Sequence, residues 1–222
     1  MNVEFISKTQ SLVPDVTTAD FTAYVARIGK VKDNPDKLIK YLIKHQHWSP
    51  FQHTYFGFKI RTSRAIGREI LRHWSMDHQE LSQRYEEILE FEPIELRKQA
   101  ENNRQSSEEE IDPDLIWTQL EPYQDGYTSI EVDRKKSSEH IKDILLLIKE
   151  AYQMLLEVGV ARECARFILP ECTSTTMILT GNIRSWINFL NLRTDATSQK
   201  EIQIIANEIK KILAQEVPLI FA

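Results

Sequence analysis

A chain of 222 residues can bury one sizeable core, and a formal net charge of -5 argues against an electrostatic grip on nucleic acid while leaving room for a local basic pocket. No apolar run approaches the length a membrane span needs, and the opening Met1-Asn2-Val3-Glu4-Phe5 lacks the regions of a signal peptide, so a cytoplasmic protein with no membrane partner is expected. Cys164 and Cys172 stand without a second pair, which makes neither a disulfide framework nor a zinc site and leaves packing as their expected role.

Val3 and Phe5 alternate with polar neighbours and predict a short first strand. Thr18 or Asp20 starts a helix with Phe21, Tyr24, Val25 and Ile28 facing inward and Gly29 closing it. Asn34 and Pro35 open a second helix, whose stripe Leu38, Ile39, Leu42 and Ile43 carries it to about His47. His45, His47 and His53 fall close together, but no nearby cysteine or carboxylate pair completes a tetrahedral set, so no metal is expected. Phe56, Phe58 and Ile60 alternate with Gly57 and Lys59 and read as a strand with one apolar face.

The stretch from Arg64 to Tyr85 carries the chemistry. Ser63 can cap a helix with Ile66, Ile70, Leu71 and Trp74 as its apolar stripe and Arg68 and Arg72 four apart. From Leu81 the period changes to that of an extended segment, with Ser82 and Arg84 on one side and Gln83 and Tyr85 on the other. A helix end bearing Arg72 and His73, a polar loop and a strand-like Ser-x-Arg suit a phosphorylated ligand. A basic last turn equally complements the helix dipole with no ligand at all.

Residues 86–137 are dense in Glu and Asp; Asn102 to Ser107 is loop-like and Pro113, Pro122 and Gly126 break any long element, so a surface excursion is expected. Ile141, Ile144, Leu145, Ile148, Tyr152 and Leu155 then mark a strong helix over about 138–158, for a core or a subunit interface. Gly159 permits a break, a short helix passes through Arg162 and Arg166, and Pro170 stops it. Thr173 to Thr180 suits a strand; after Gly181 a helix turns Ile183, Trp186, Ile187 and Leu190 inward with Arg184 and Asn188 opposite. A last helix through Ile202, Ile205, Ile209 and Leu213 is packing. The whole predicts an α+β fold, one domain over 1–222, with a helix-flanked sheet.

Arg72-His73-Trp74, followed after Ser75 to Leu81 by Ser82, resembles the signature of the flavin-dependent thymidylate synthases, Arg-His-Arg, seven residues and a Ser. Glu80, Ser82, Arg84 and Tyr85 stand where that family has Glu, Ser, Arg and Tyr, and Trp74 departs from its usual Arg. Residues 165–193, ARFILPECTSTTMILTGNIRSWINFLNLR, are similar to its Ala-Arg-x-x-Leu-Pro and Asn-x-Arg-Ser…Asn-Phe-Leu-x-x-Arg segments. His47, Ser49 and His53 match its His-x-(Ser/Thr)-Pro-Phe-Glu-His region, with Gln52 in place of Glu.

The resemblance implies that family's fold, with a mainly antiparallel sheet, and a methyltransferase that converts dUMP to dTMP using FAD, NADPH and 5,10-methylenetetrahydrofolate. It implies a homotetramer whose active sites are shared between subunits. Arg193 would be the catalytic arginine, with Glu69, Arg72, Glu80, Ser82, Gln83, Arg84 and Arg166 joining it around dUMP. Ser49, Arg72, His73, Trp74, Glu80, Asn182, Arg184 and Asn188 would hold FAD, and His47, His53 and Tyr85 would lie on the folate and flavin side. The alternatives are a same-fold enzyme that modifies another pyrimidine nucleotide or transfers hydroxymethyl, and a non-catalytic nucleotide-binding protein.

Overall fold

The computed structural model describes residues 1–30, 34–104, 106–111 and 137–222. The chain divides into two compact units, Met1–Leu81 with Thr175–Ala222, and Ser82–Ser174.

The first unit is built on a four-stranded sheet of order β1-β2-β6-β3, from β1 (Asn2–Lys8), β2 (Tyr55–Ser63), β6 (Ser174–Asn182) and β3 (Asp77–Glu80). β1 runs antiparallel to β2 with Val3 opposite Ile60 and Phe5 opposite Phe58, and β3 runs antiparallel to β6 with Glu80 opposite Met177. Period-two alternation sends Phe56, Phe58 and Ile60 of β2 and Met177 and Leu179 of β6 into the core. Gly57 lets β1 lie close: a Cβ there would strike the Ser7 hydroxyl. Helices α2 (Pro35–Lys44), α3 (Arg64–Leu71), α6 (Ile183–Arg193) and α7 (Lys200–Glu216) supply Ile39, Leu42, Ile66, Ile70, Ile183, Trp186, Phe189, Ile202, Ile205, Ile209 and Leu213 to the same cluster. Trp186 fixes α6 to the sheet, since its buried indole Nε1 donates to the Phe56 carbonyl at 3.1 Å and its ring meets Phe58 edge-on at 5.0 Å.

The capping signals act where they were read. The Asn34 side chain accepts from the Lys37 N–H at 3.3 Å ahead of Pro35, and Ser63 Oγ accepts from the Ile66 N–H at 3.4 Å. Gly29, at φ +80, ends the turn after α1 (Phe21–Ala26) with its N–H on the Tyr24 carbonyl.

Four expectations are corrected. α1 buries Thr22 and Ala23, whereas Ile28 takes a left-handed φ of 52 and is 88% exposed, because six residues are too few for the apolar period to dictate the buried face. α2 stops at Lys44, with His45 as its C-cap and Gln46 left-handed at φ 56, so His47 lies outside the helix. α3 stops at Leu71, which takes Trp74 off the apolar stripe and leaves it 91% exposed. The strand after α3 is β3 at Asp77–Glu80, and the segment from Leu81 is a turn: Ser82 O receives the N–H groups of Tyr85 and Glu86, and Ser82 Oγ that of Arg84. Three local hydrogen bonds to one serine outweigh a few residues of extended pattern.

The second unit holds a hairpin of β4 (Arg97–Gln99) and β5 (Ser107–Glu110), the long helix α4 (Ser137–Glu157) and the short α5 (Arg162–Ala165). Asn102, Asn103, Arg104 and Ser106 of the loop-like run lie between the two strands, Ser107 opens β5, and Gln105, Pro113, Pro122 and Gly126 lie outside the described residues. In α4 Tyr152 is fully buried while Ile144, Leu147 and Met154 are exposed. No helix among the described residues is long and apolar enough to cross a membrane.

Candidate active site

In the first unit the site is assembled where the end of α3 meets the end of α6. α3 directs Ile66 and Ile70 inward, which puts Glu69 at its rim, makes Arg72 the C-cap and lets the His73 N–H close the turn on the Ile70 carbonyl at 3.0 Å. α6 begins at Asn182, whose side-chain oxygen accepts from the Ser185 N–H at 3.0 Å, while Ser185 Oγ donates to the Ser75 carbonyl at 2.8 Å. With both ends of that connection fixed, Arg193 arrives at the close of α6 beside α3.

There the Arg193 guanidinium donates from Nε to His73 Nε2 at 2.9 Å, from Nη1 to Glu69 Oε2 at 2.7 Å and from Nη2 to the Glu69 carbonyl at 3.1 Å. Arginine has donors only, so His73 Nε2 must be the accepting nitrogen of a neutral ring. Burial, and then the positive charge of Arg193, push the His73 pKa down from 6.5 to about 4. The ring also meets Phe189 edge-on at 4.8 Å.

A folded pKa depressed below the unfolded value means that the unfolded chain takes up the proton first. The His73 contribution to stability is therefore complete above 6.5 and is lost as pH falls toward about 4. The urea midpoint is expected to drop over that window, modestly because the ring is only half-buried, and His73→Gln, which cannot titrate, is expected to flatten the drop. An unchanged slope in that variant rules His73 out as the source.

Glu80 is tied inside the same unit. Its Oε1 accepts from Thr175 Oγ1 at 2.9 Å and pairs with Arg64 Nη1 at 3.2 Å, linking the end of β3 to β6 and to the first residue of α3. Arg72, Arg184 and Asn188 are exposed, the last two one turn apart on α6, and Ser49, His47 and His53 are exposed around the 3-10 turn Ser49–Gln52. Tyr41, His45 and His47 form a small ring cluster, with Tyr41 and His45 centroids 4.3 Å apart. Among the described residues no group of three or more His, Cys, Asp or Glu is placed to hold a metal ion.

In the second unit two of the expected arginines meet on one acid. Arg84 Nη2 lies 3.1 Å from Glu163 Oε2, and Arg166 Nε donates to the Glu163 carbonyl at 3.3 Å. Gln83, beside Arg84, is 6% exposed, and its buried Nε2 has no hydrogen-bond partner among the described residues. Such a donor is costly unless a ligand or a second chain supplies an acceptor. Tyr85 is exposed. Sequence reasoning missed Glu163, Arg64 and Thr175; the one signal for Glu163 was its place three residues before Arg166 on a short helix.

A family model described as thymidylate synthase complementing protein matches residues 9–219, which sets the class. The chain is 36% identical over 228 residues to a probable flavin-dependent thymidylate synthase of Paramecium bursaria Chlorella virus 1, covering 99% of this chain and 97% of that one. It is 34% identical over 229 residues to the flavin-dependent thymidylate synthase of Synechocystis sp., covering 100% and 98%. Among solved structures it is similar to a UMP/dUMP methylase from Streptomyces cacaoi bound with 5-Br UMP, at a TM-score of 0.77 and 25% identity over 99% of this chain and 91% of that one. The chain belongs to the flavin-dependent thymidylate synthase family.

Proposed function

We propose that this protein is a methyltransferase that converts dUMP to dTMP, with FAD as cofactor, 5,10-methylenetetrahydrofolate as carbon donor and NADPH as reductant. The observation that carries the reading is the family match over residues 9–219, a span that takes in every arginine named for the site.

C5 of uracil is a poor nucleophile, and one route to activating it is a thiolate added at C6. Burial raises the pKa of Cys172, which disfavours a thiolate there. Arg193 offers the other route, a fixed cation that stabilises negative charge as it builds on the ring. Arg72, Arg84 and Arg166 are proposed to bind the nucleotide phosphate by charge-assisted hydrogen bonds. Ser82 orients the nucleotide, and the unpartnered Gln83 Nε2 fits a further acceptor.

The chain's residues fit a flavin. Trp74 leaves 91% of its surface open to a planar ring, the Asn182 oxygen serves the helix cap while its amide group is left for a ligand, and Arg184 and Asn188 present donors on one exposed face. Ser49, Arg72, His73 and Glu80 complete the proposed cofactor set, and His47, His53 and Tyr85 the folate side. FAD, when bound, would supply the redox chemistry that no side chain here provides, and the folate the carbon.

The proposed working form is one catalytic domain in a cytoplasmic homotetramer with shared active sites. The exposed apolar residues of α4 support assembly, and two free cysteines, one of them exposed, fit a reducing compartment.

The purified protein is expected to be yellow and to bleach with NADPH, and with dUMP and the folate to yield a nucleotide heavier by one methylene. A colourless protein that neither takes up FAD nor consumes NADPH would end this reading. A second reading, action on UMP, is favoured by the similarity to the UMP/dUMP methylase of Streptomyces cacaoi. Offering UMP, dUMP and dCMP separately and weighing each product decides between them.

A further inference from the structure

We propose that Glu69 and His73 are positioning residues that hold the Arg193 guanidinium in one orientation through three of its N–H groups, leaving its other two for the pyrimidine. The proposal rests on the role given to Arg193 above.

Glu69 lies in the last turn of α3 and His73 two residues past its end, and both reach the Arg193 guanidinium. Glu69 supplies two of the acceptors, carboxylate and carbonyl, and His73 the third. A guanidinium carries five N–H groups, so three are satisfied from within the protein. Without those acceptors, a long side chain on the last residue of a helix samples many rotamers, few of which face a substrate. Held by three bonds and only 19% exposed, Arg193 is fixed before any ligand arrives.

Glu69 is better suited to this than to gripping the nucleotide directly. An ionised carboxylate only accepts, so on a uridine nucleotide it could meet only the ring N3–H or a sugar hydroxyl, and here one of its oxygens is already engaged by Arg193. The carboxylate also offsets the charge of Arg193, which keeps the arginine from being a general anion trap. The lock acts in both directions, because the Arg193 Nε–H on His73 Nε2 leaves the ring proton on Nδ1.

The ring nitrogens of His73 in the ligand-free protein are the first test. At neutral pH the lock requires a protonated Nδ1 and an unprotonated Nε2 by nitrogen-15 NMR, and a proton on Nε2 overturns it. Kinetics are the second. Glu69→Ala is expected to lower kcat about 100-fold and to move the dUMP Kd by less than about threefold. Glu69→Gln, which keeps an acceptor oxygen, is expected to recover kcat to within about tenfold of the native enzyme. An unchanged kcat in Glu69→Ala, or a dUMP Kd raised more than about tenfold with kcat intact, would show Glu69 binding the nucleotide itself and overturn the proposal. If the native protein makes no dTMP, the proposed function fails, and the His73 measurement, which needs no substrate, still decides the lock.

Discussion

Arg193→Ala is expected to abolish measurable dTMP formation, lowering turnover by at least roughly 10²–10³-fold, the scale for removing one donor aimed at developing charge. The loss should exceed that of any phosphate-binding arginine, because Arg193 would act on charge present only in the transition state. Folding should survive: Arg193 and Glu69 are partly exposed, so water can replace the lost partner of each acceptor. Arg193→Lys is the sharper control, since an ammonium keeps the charge but cannot meet three acceptors with a planar fork. Full activity in Arg193→Ala, with product weighed by mass spectrometry and folding checked by a urea transition, would refute the assigned role.

Trp186→Ala is expected to be the most destabilising single change in the first unit, by about 3–5 kcal/mol for the cavity alone. The indole is fully buried among Phe58, Phe189 and the rest of the core, and its Nε1 satisfies the Phe56 carbonyl. Losing that donor leaves a buried acceptor unpaired, worth about 1–3 kcal/mol more. A thermal midpoint lowered by roughly 10–30 °C follows for a chain of this size. Trp186→Phe keeps most of the ring and should give back the larger part. A shift in Trp186→Ala below about 1 kcal/mol would contradict this account of how α6 is fastened to β2.

Much of this fold is legible from pattern because the signals are long or chemically specific. Phe56, Phe58 and Ile60 alternate over enough residues to fix a strand and its buried face, and Ser63 and Asn34 cap helices because their short side chains reach the open N–H groups. Signals only a few residues long lose to local chemistry. The six residues of α1 do not decide which face goes inward, and Ser82 gathers the turn that extended periodicity had claimed.

The site divides in the same way. Motif matching names His73 and Arg193, but the bond between them spans 120 residues and exists only once α3 and α6 have packed. Glu163 and Arg64 look in sequence like ordinary surface charges, and their partners Arg84 and Glu80 become visible only in three dimensions. Glu69 shows the limit most plainly: similarity places it around the substrate, and only the coordinates show its carboxylate on Arg193.

The chain leaves β3 at Leu81 and rejoins β6 at Thr175, and the Leu81 N–H bonds the Thr176 carbonyl at 2.9 Å, so the whole intervening segment departs and returns at adjacent rungs of one ladder. In topology it is an enlarged hairpin tip. Closure entropy rises only with the logarithm of loop length, each doubling costing about 0.6 kcal/mol, so insertions or deletions between those rungs scarcely tax the host sheet. What constrains that segment is therefore the residues it carries, Ser82, Gln83, Arg84 and Arg166, rather than the sheet it leaves.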